Sequence, residues 1–173
     1  MSTSRRLEQP FGTDRILQPS TAYEVPGRGT YYTNAEGRIH YVETEYGTKG
    51  HLNPDLMRPA PDTTYVVGDN HVFQTDSSSR TVVAHVDDLL RGDAYRSKHT
   101  TARVGKEGGV GYEADTFSPR CSVAGTVDIN LVAMFREVSS GHNYGDLEKG
   151  LKELLELEGN SSVDLRVVPT YPR

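Results

Sequence analysis

Apolar and polar positions alternate in short runs along most of the chain and settle into a helical spacing near its end. In TYYTNAEGRIHYVETEY, residues 30–46, two β-prone runs flank Asn34-Ala35-Glu36-Gly37, and the glycine is free to take positive φ. This predicts a hairpin with Ile39, Tyr41 and Glu43 on one face and Arg38, His40 and Val42 on the other. Residues 63–90 read as a strand meander with turns at Gly68-Asp69-Asn70 and Ser77-Ser78-Ser79, and Val82 and Val83 mark a buried last strand. VDINLVAMF, residues 127–135, reads as a buried strand, and Val163, Leu165 and Val167 alternate in a final strand stopped by Pro169. Leu147, Leu151, Leu154 and Leu155 recur at helical spacing, which predicts one main helix over 146–158 with a leucine stripe in the core. Asp146 or Asn143 starts this helix, Gly159-Asn160 ends it, and Glu148 and Lys152 are spaced to pair on its surface. A shorter helix is expected over 93–104, started by Asp93. The pattern as a whole is that of an α+β protein, an antiparallel sheet of hairpins with one main helix.

Prolines divide the rest. Residues 1–28 are polar and broken by Pro10, Pro19 and Pro26, so they read as a flexible N-terminal arm. Residues 29–173 read as a single domain, with 47–62, which carry Pro54, Pro59 and Pro61, as loop.

Composition narrows the function. A net charge of -5 disfavours sequence-blind nucleic-acid binding over a broad basic face, while leaving room for a small basic cleft. Arg96, Lys98 and Arg103 are the nearest approach to one. No apolar run approaches the ~18 residues of a membrane span, so no membrane partner is expected. The opening residues lack the apolar stretch of a secretory signal, so the expected location is cytoplasmic, or outside the cell by a route without a classical signal peptide. The single cysteine, Cys121, excludes an internal disulfide, and nothing around it marks an activated thiol. His40, His51, His71 and His85 lie in strands or loops without partners at metal-ligand spacing.

The stretch GGVGYEADTFSP, residues 108–119, carries glycines, carboxylates and a threonine, and Gly109 to Ala114 fits a dinucleotide-type G-x-G-x-x-A. That motif needs a strand before it and a helix after it, and Ser118-Pro119 cannot open the helix in time. A Walker loop fails because no Gly-Lys-Ser/Thr follows.

The order of motifs in the second half is more informative. RSKHTTARVGKEGG, GYEADTF, INLVAM, YGDLEKGLKELLE and VDLRVVPTYP follow one another. The series resembles the toxin-type bacterial DNA/RNA non-specific endonuclease family, a ββα-metal (His-Me finger) nuclease fold. That family runs VG-x-GG, a D-G-G-H-type motif, I-N-L-V-P-M, an asparagine before an aromatic-x-x-L-E helix, and V-x-P-x-Y-P. The resemblance spans roughly residues 30–173, with its specificity in 96–172. It implies a strand–loop–helix element in which a histidine activates water and one Mg²⁺, held through oxygen by asparagine and carboxylate, stabilises the phosphate.

Carried over by position, Glu113 matches the motif's aspartate, Ala114 and Asp115 stand at the two glycines, and Thr116 stands where the histidine belongs. Threonine holds its proton too tightly to be a general base near neutral pH. The family's asparagine falls near Ser139, Asn143 lies one helical turn later, and Glu148 matches the helix glutamate.

The first reading is therefore an endonuclease-like domain that has lost hydrolysis and acts by binding nucleic acid or a protein, with no cofactor. A second is an active Mg²⁺-dependent phosphodiesterase with a rearranged site, in which His99 or His142 is the base and Asp115, Asn143 and Glu148 hold the metal. GHNYGD, which suggests this, reads first as a helix cap. A third is an α+β interaction module without enzymatic activity. The resemblance further implies a cognate immunity or scaffold protein as partner, and Arg96, Lys98 and Arg103 as substrate contacts.

Overall fold

A computed structural model describes residues 10–11, 16–48, 51–89, 97–117, 127–139, 144–157 and 163–171. The fold is α+β. Strands β1 (Ala22–Val25), β2 (Gly29–Thr33), β3 (Ile39–Thr44), β6 (Thr64–Val67), β7 (His71–Thr75), β8 (Thr81–Val86) and β11 (Leu165–Val167) form one seven-stranded sheet in that spatial order. Every neighbouring pair is antiparallel except β3 and β6. Between those two the chain makes a two-residue ribbon, β4 (Gly47–Thr48) with β5 (His51–Leu52), and a single helical turn, α1 (Pro54–Met57). The second half adds helix α2 (Lys98–Glu107), a separate hairpin of β9 (Tyr112–Thr116) and β10 (Leu131–Phe135), the short helix α3 (Arg136–Ser139) and the main helix α4 (Tyr144–Glu156). Among the described residues no helix is long and apolar enough to cross a membrane.

The expected first hairpin is β2–β3. Asn34 Oδ1 accepts from the backbone N–H groups of Glu36 and Arg38, and Gly37 takes φ +74°. A bulge shifts the register after Tyr32, so strict alternation along β3 fails: Ile39 and Val42 are both buried, and His40 and Glu43 are exposed. The expected arm ends earlier than residue 28, because residues 22–25 pair as edge strand β1 and Phe11 packs edge-on against Tyr23 and Tyr31.

Residues 47–62 are not all loop. Asn53 caps α1, its Oδ1 accepting from Asp55 N–H at 2.9 Å, and Pro54 sits in the first turn, where its missing N–H costs nothing. The amide of Asn53 donates to Arg28 O (3.0 Å), Glu45 O (3.1 Å) and Thr44 Oγ1. Buried Asp55 accepts from the Arg28 guanidinium and from the Tyr31 hydroxyl. Burial, reinforced by Asp55, raises the Tyr31 phenol well above its usual range. This polar node ties the crossover to the start of the sheet.

The main core holds Tyr31, Val42, Leu56, Tyr65, Val67 and Phe73 from the sheet and α1, joined by Phe117, Val127 and Ile129 from the hairpin's connection. In β8, Thr81, Ala84 and Val86 are buried while Val82 and Val83 are only half-buried, the reverse of the expected weighting. Thr81 Oγ1 donates to Ile129 O at 2.7 Å, which docks the hairpin unit on the sheet.

In the second half, Ser97 rather than Asp93 caps the described helix, its Oγ accepting from Thr100 N–H, and residues 90–96 lie outside the described residues. Asp128–Asn130 form a 3₁₀ turn ahead of β10, so the strand is shorter than 127–135. Helix α4 starts at Tyr144, which puts Asp146 in its first turn, and Asn143 lies outside the described residues. Of the leucine stripe, Leu151 is buried, but Leu147 and Leu154 are each 46% exposed, so the stripe is not all core. Lys152 faces Glu156 at 3.9 Å, one helical turn on rather than back toward Glu148.

Candidate functional site

The motif-bearing strand is β9, and glycines determine how it is reached. A Cβ on Gly105 would lie 2.9 Å from Ala114 N, so α2 packs directly on the backbone of β9 only because that side chain is absent. Gly108 closes α2, and Gly109 and Gly111 take φ +94° and +89° to turn the chain into the strand. The order is helix, turn, strand. A dinucleotide cradle needs strand, turn, helix, which confirms that these glycines build a connection and not a phosphate loop.

The register of the hairpin pairs Glu113 with Met134, Asp115 with Val132 and Thr116 with Leu131. Alternation places Ala114 and Thr116 with Leu131 and Ala133 on one face, and Glu113 and Asp115 with Val132 and Met134 on the other. The first face packs on α2, where Val104, Ala114 and Leu131 form a small second core. The second face meets α3. Arg136 Nε lies 3.7 Å from Glu113 Oε2, and Ser139 Oγ donates to Asp115 Oδ2 at 2.8 Å. Asp115 Oδ1 accepts from Thr116 N–H at 2.9 Å.

Asp115 and Ser139 are only 3% and 6% exposed, so water is all but excluded from this contact. Thr116 is also buried, and among the described residues its Oγ1 has no hydrogen-bond partner. From the start of α4, the Tyr144 hydroxyl donates to Thr116 O at 2.5 Å, with Phe117 O at 3.1 Å. The hairpin is thus clamped between α2 on one side and α3 with the start of α4 on the other.

The structure brings together Glu113, Asp115 and Thr116 on β9 and sets Ser139 against them. Glu148 lies half-buried in α4. Arg96, His142, Asn143 and Cys121 lie outside the described residues. Lys98 and His99 are exposed in the first turn of α2, on the helix that packs against the face opposite Asp115. Arg103 is committed internally, donating to Glu107 Oε1 at 2.8 Å and to Asp128. Burial raises the Asp128 carboxyl, partly offset by that guanidinium.

Asn143, the oxygen donor that would hold Mg²⁺ beside Glu148, lies outside the described residues. A hard cation gathers several oxygens at ~2.0–2.1 Å, and among the described residues no three His, Cys, Asp or Glu side chains stand close enough to hold a metal. The carboxylate best placed for it, Asp115, is already bonded through each oxygen to the protein.

A cleft of about 780 Å³ opens between α2 and the β8 end of the sheet, where Arg58, Arg80, His99 and Arg103 face Asp128 and Tyr171. The Arg80 guanidinium lies 4.7 Å above the Tyr171 ring, whose hydroxyl donates to Thr81 O at 2.8 Å. Burial pushes the Tyr171 phenol up to about 12.

Ser139 as the partner of Asp115 and Tyr144 as a clamp on the strand backbone were not assigned these roles from sequence. Tyr144 carried one signal, its place as the aromatic residue opening the leucine helix, whereas Arg136 carried none. The chain matches no family model and no curated protein.

Proposed function

We propose that this protein is an endonuclease-like domain that acts by binding and does not hydrolyse phosphodiesters. The observation that carries the reading is the contact between β9 and α3. The resemblance would put a general base at 116 and a metal-holding residue near 139. Thr116 there is buried on the α2 side, and Ser139 spends its hydroxyl on Asp115. Groups so placed hold a hairpin to a helix; they do not activate water. The strand–strand–helix order of β9, β10 and α3–α4 supports the likeness in outline.

The surface offered for binding is the cleft along α2. Arg58 is exposed there, beside Arg80, which stacks on Tyr171 and pairs with Asp76 at 2.7 Å, so Arg58 is the cation this cleft offers a phosphate. Nucleic acid is the partner to test first. Purified protein incubated with plasmid DNA and with RNA, with Mg²⁺ or with EDTA, is expected to leave both intact. In the same buffer a labelled single-stranded oligonucleotide should gain fluorescence anisotropy, and Arg58→Ala should weaken that gain. Magnesium-dependent degradation abolished by EDTA would overturn the reading.

A further inference from the structure

The seven-stranded sheet has a second face, turned away from the main core. The strand registers carry one row straight across it, from Glu24 on β1 through Thr30, Glu43, Val66, Val72 and His85 to Arg166 on β11. A second row holds Tyr32, Tyr41, Thr64, Gln74 and Val83. Between the two runs the row Tyr31, Val42, Tyr65, Phe73 and Ala84, all buried in the main core, so alternation turns both outer rows to the opposite face. Among the described residues Tyr32, Tyr41, Val66, Val72 and Val83 belong to neither core cluster, and each is half-buried.

The solvated face of an antiparallel sheet is polar at its alternate positions. This face is charged at its two ends and largely apolar or aromatic between them. Val66 and Val72 are cross-strand neighbours, and Val83 lies diagonally from Val72. Tyr32 and Tyr41 meet edge to face at 5.4 Å, and the Tyr32 hydroxyl donates to Glu43 at 2.8 Å. Just past β11, Val168 is 60% exposed. The charges are divided by sign. Glu24 and Glu43 are exposed on the β1–β3 side, and Arg166 is exposed on β11. Among the described residues neither Glu24 nor Arg166 is in an ion pair. His85 is already bonded to Asp87 at 2.7 Å, so Arg166 is the free cation of that end.

We propose that this face packs against the same face of a second copy of the chain, about a two-fold axis running along the central strand β6. Rotation about that axis exchanges the two ends of the sheet. Val66 then meets the partner's Val66, Tyr32 meets the partner's Val83, and Glu24 meets the partner's Arg166 at two symmetric contacts. A two-fold axis across the strands would instead bring Glu24 beside the partner's Glu24 and Arg166 beside the partner's Arg166, so the charges select the axis along β6. The result is an aligned sandwich of two sheets. Strands ~4.8 Å apart and ~17 Å long give a seven-stranded face of roughly 600 Å² per copy. That is at the small end of specific interfaces, about 600–1,000 Å² per partner. Phe117 and Ile129 lie in the main core, so the hairpin unit sits on the other side of the sheet and the pairing does not depend on what β9 does.

The test is sedimentation of the full chain in the analytical ultracentrifuge, from roughly 1 μM to 1 mM, the range in which an interface of this size assembles. Salt at about 0.15 M screens the chain's overall charge while sparing contact pairs. A monomer–dimer equilibrium is expected. Glu24→Arg and Arg166→Glu, both at exposed positions, should each weaken the dimer at least about tenfold, because each sets like charges face to face at both symmetric contacts. An equimolar mixture of these two variants should recover the dimer, since each contact in the mixed pair then joins opposite charges. Val66→Arg, which sets two guanidiniums against each other at the axis, should give a monomer with its thermal melt retained. Should that variant not fold, the two charge variants and their mixture carry the test. A monomer at every concentration, a dimer unchanged in the folded variants, or a mixture no stronger than its components would overturn the proposal. A monomer whose Val66 and Val72 amides shift on adding a single-stranded oligonucleotide would also overturn it, and would give the face to nucleic acid.

Discussion

Ser139 Oγ donates to Asp115 Oδ2 across 2.8 Å, joining the helical turn after β10 to the middle of the motif strand. Both residues are buried, so the bond has no competing water. Removing the donor leaves a buried carboxylate short of one partner, which costs about 1–3 kcal/mol. Ser139→Ala should therefore lower unfolding free energy by that amount in urea titrations, and Ser139→Thr should recover part of it.

Thr116 behaves in the opposite way. Its hydroxyl is buried and, among the described residues, unpartnered, so it contributes desolvation without a bond in return. Thr116→Val, nearly the same shape, should leave stability unchanged or raise it by up to about 1 kcal/mol in the same titration. A loss comparable to that of Ser139→Ala would mean that the hydroxyl has a partner.

His71 sets a pH dependence whose sign follows from its lowered value. The folded state favours the neutral ring, so the stability it adds is complete above the ordinary value of 6.5 and is lost as pH falls toward about 4. The difference corresponds to about 3 kcal/mol. The informative quantity is a difference between proteins. Wild type should lose stability relative to His71→Phe between pH 7 and pH 4, with most of the divergence appearing below pH 6.5.

The leucine helix divides into anchor and surface. Leu151→Ala should cost about 2–5 kcal/mol because the side chain is buried, whereas Leu154→Ala, at a site 46% exposed, should cost less than about 1 kcal/mol. Equal losses in thermal or urea unfolding would show that the whole stripe is covered.

Local chemistry was legible where it acts over a few residues. The β2–β3 hairpin follows from Asn34 and Gly37, the meander from its turns, and α4 from leucine spacing. Asn53-Pro54 was a readable helix start inside a stretch taken as loop. What periodicity does not carry is long-range. The parallel β3–β6 pairing is secured by Arg28, Tyr31 and Asp55, which are 24 and 27 positions apart in pairs. The β2–β3 bulge overrode alternation at Ile39 and Val42, and which face of β8 is covered depends on Ile129 docking through Thr81. At the candidate site the motif order located β9, but the contact of Asp115 with Ser139 depends on how α3 turns back, which no local pattern encodes.

The most direct test of the central claim is hydrolysis itself. Purified full-length protein, at concentrations from catalytic to stoichiometric, should leave plasmid DNA and RNA intact with Mg²⁺ present, across neutral and mildly alkaline pH. Degradation that requires Mg²⁺, stops with EDTA and survives Ser139→Ala would contradict the account.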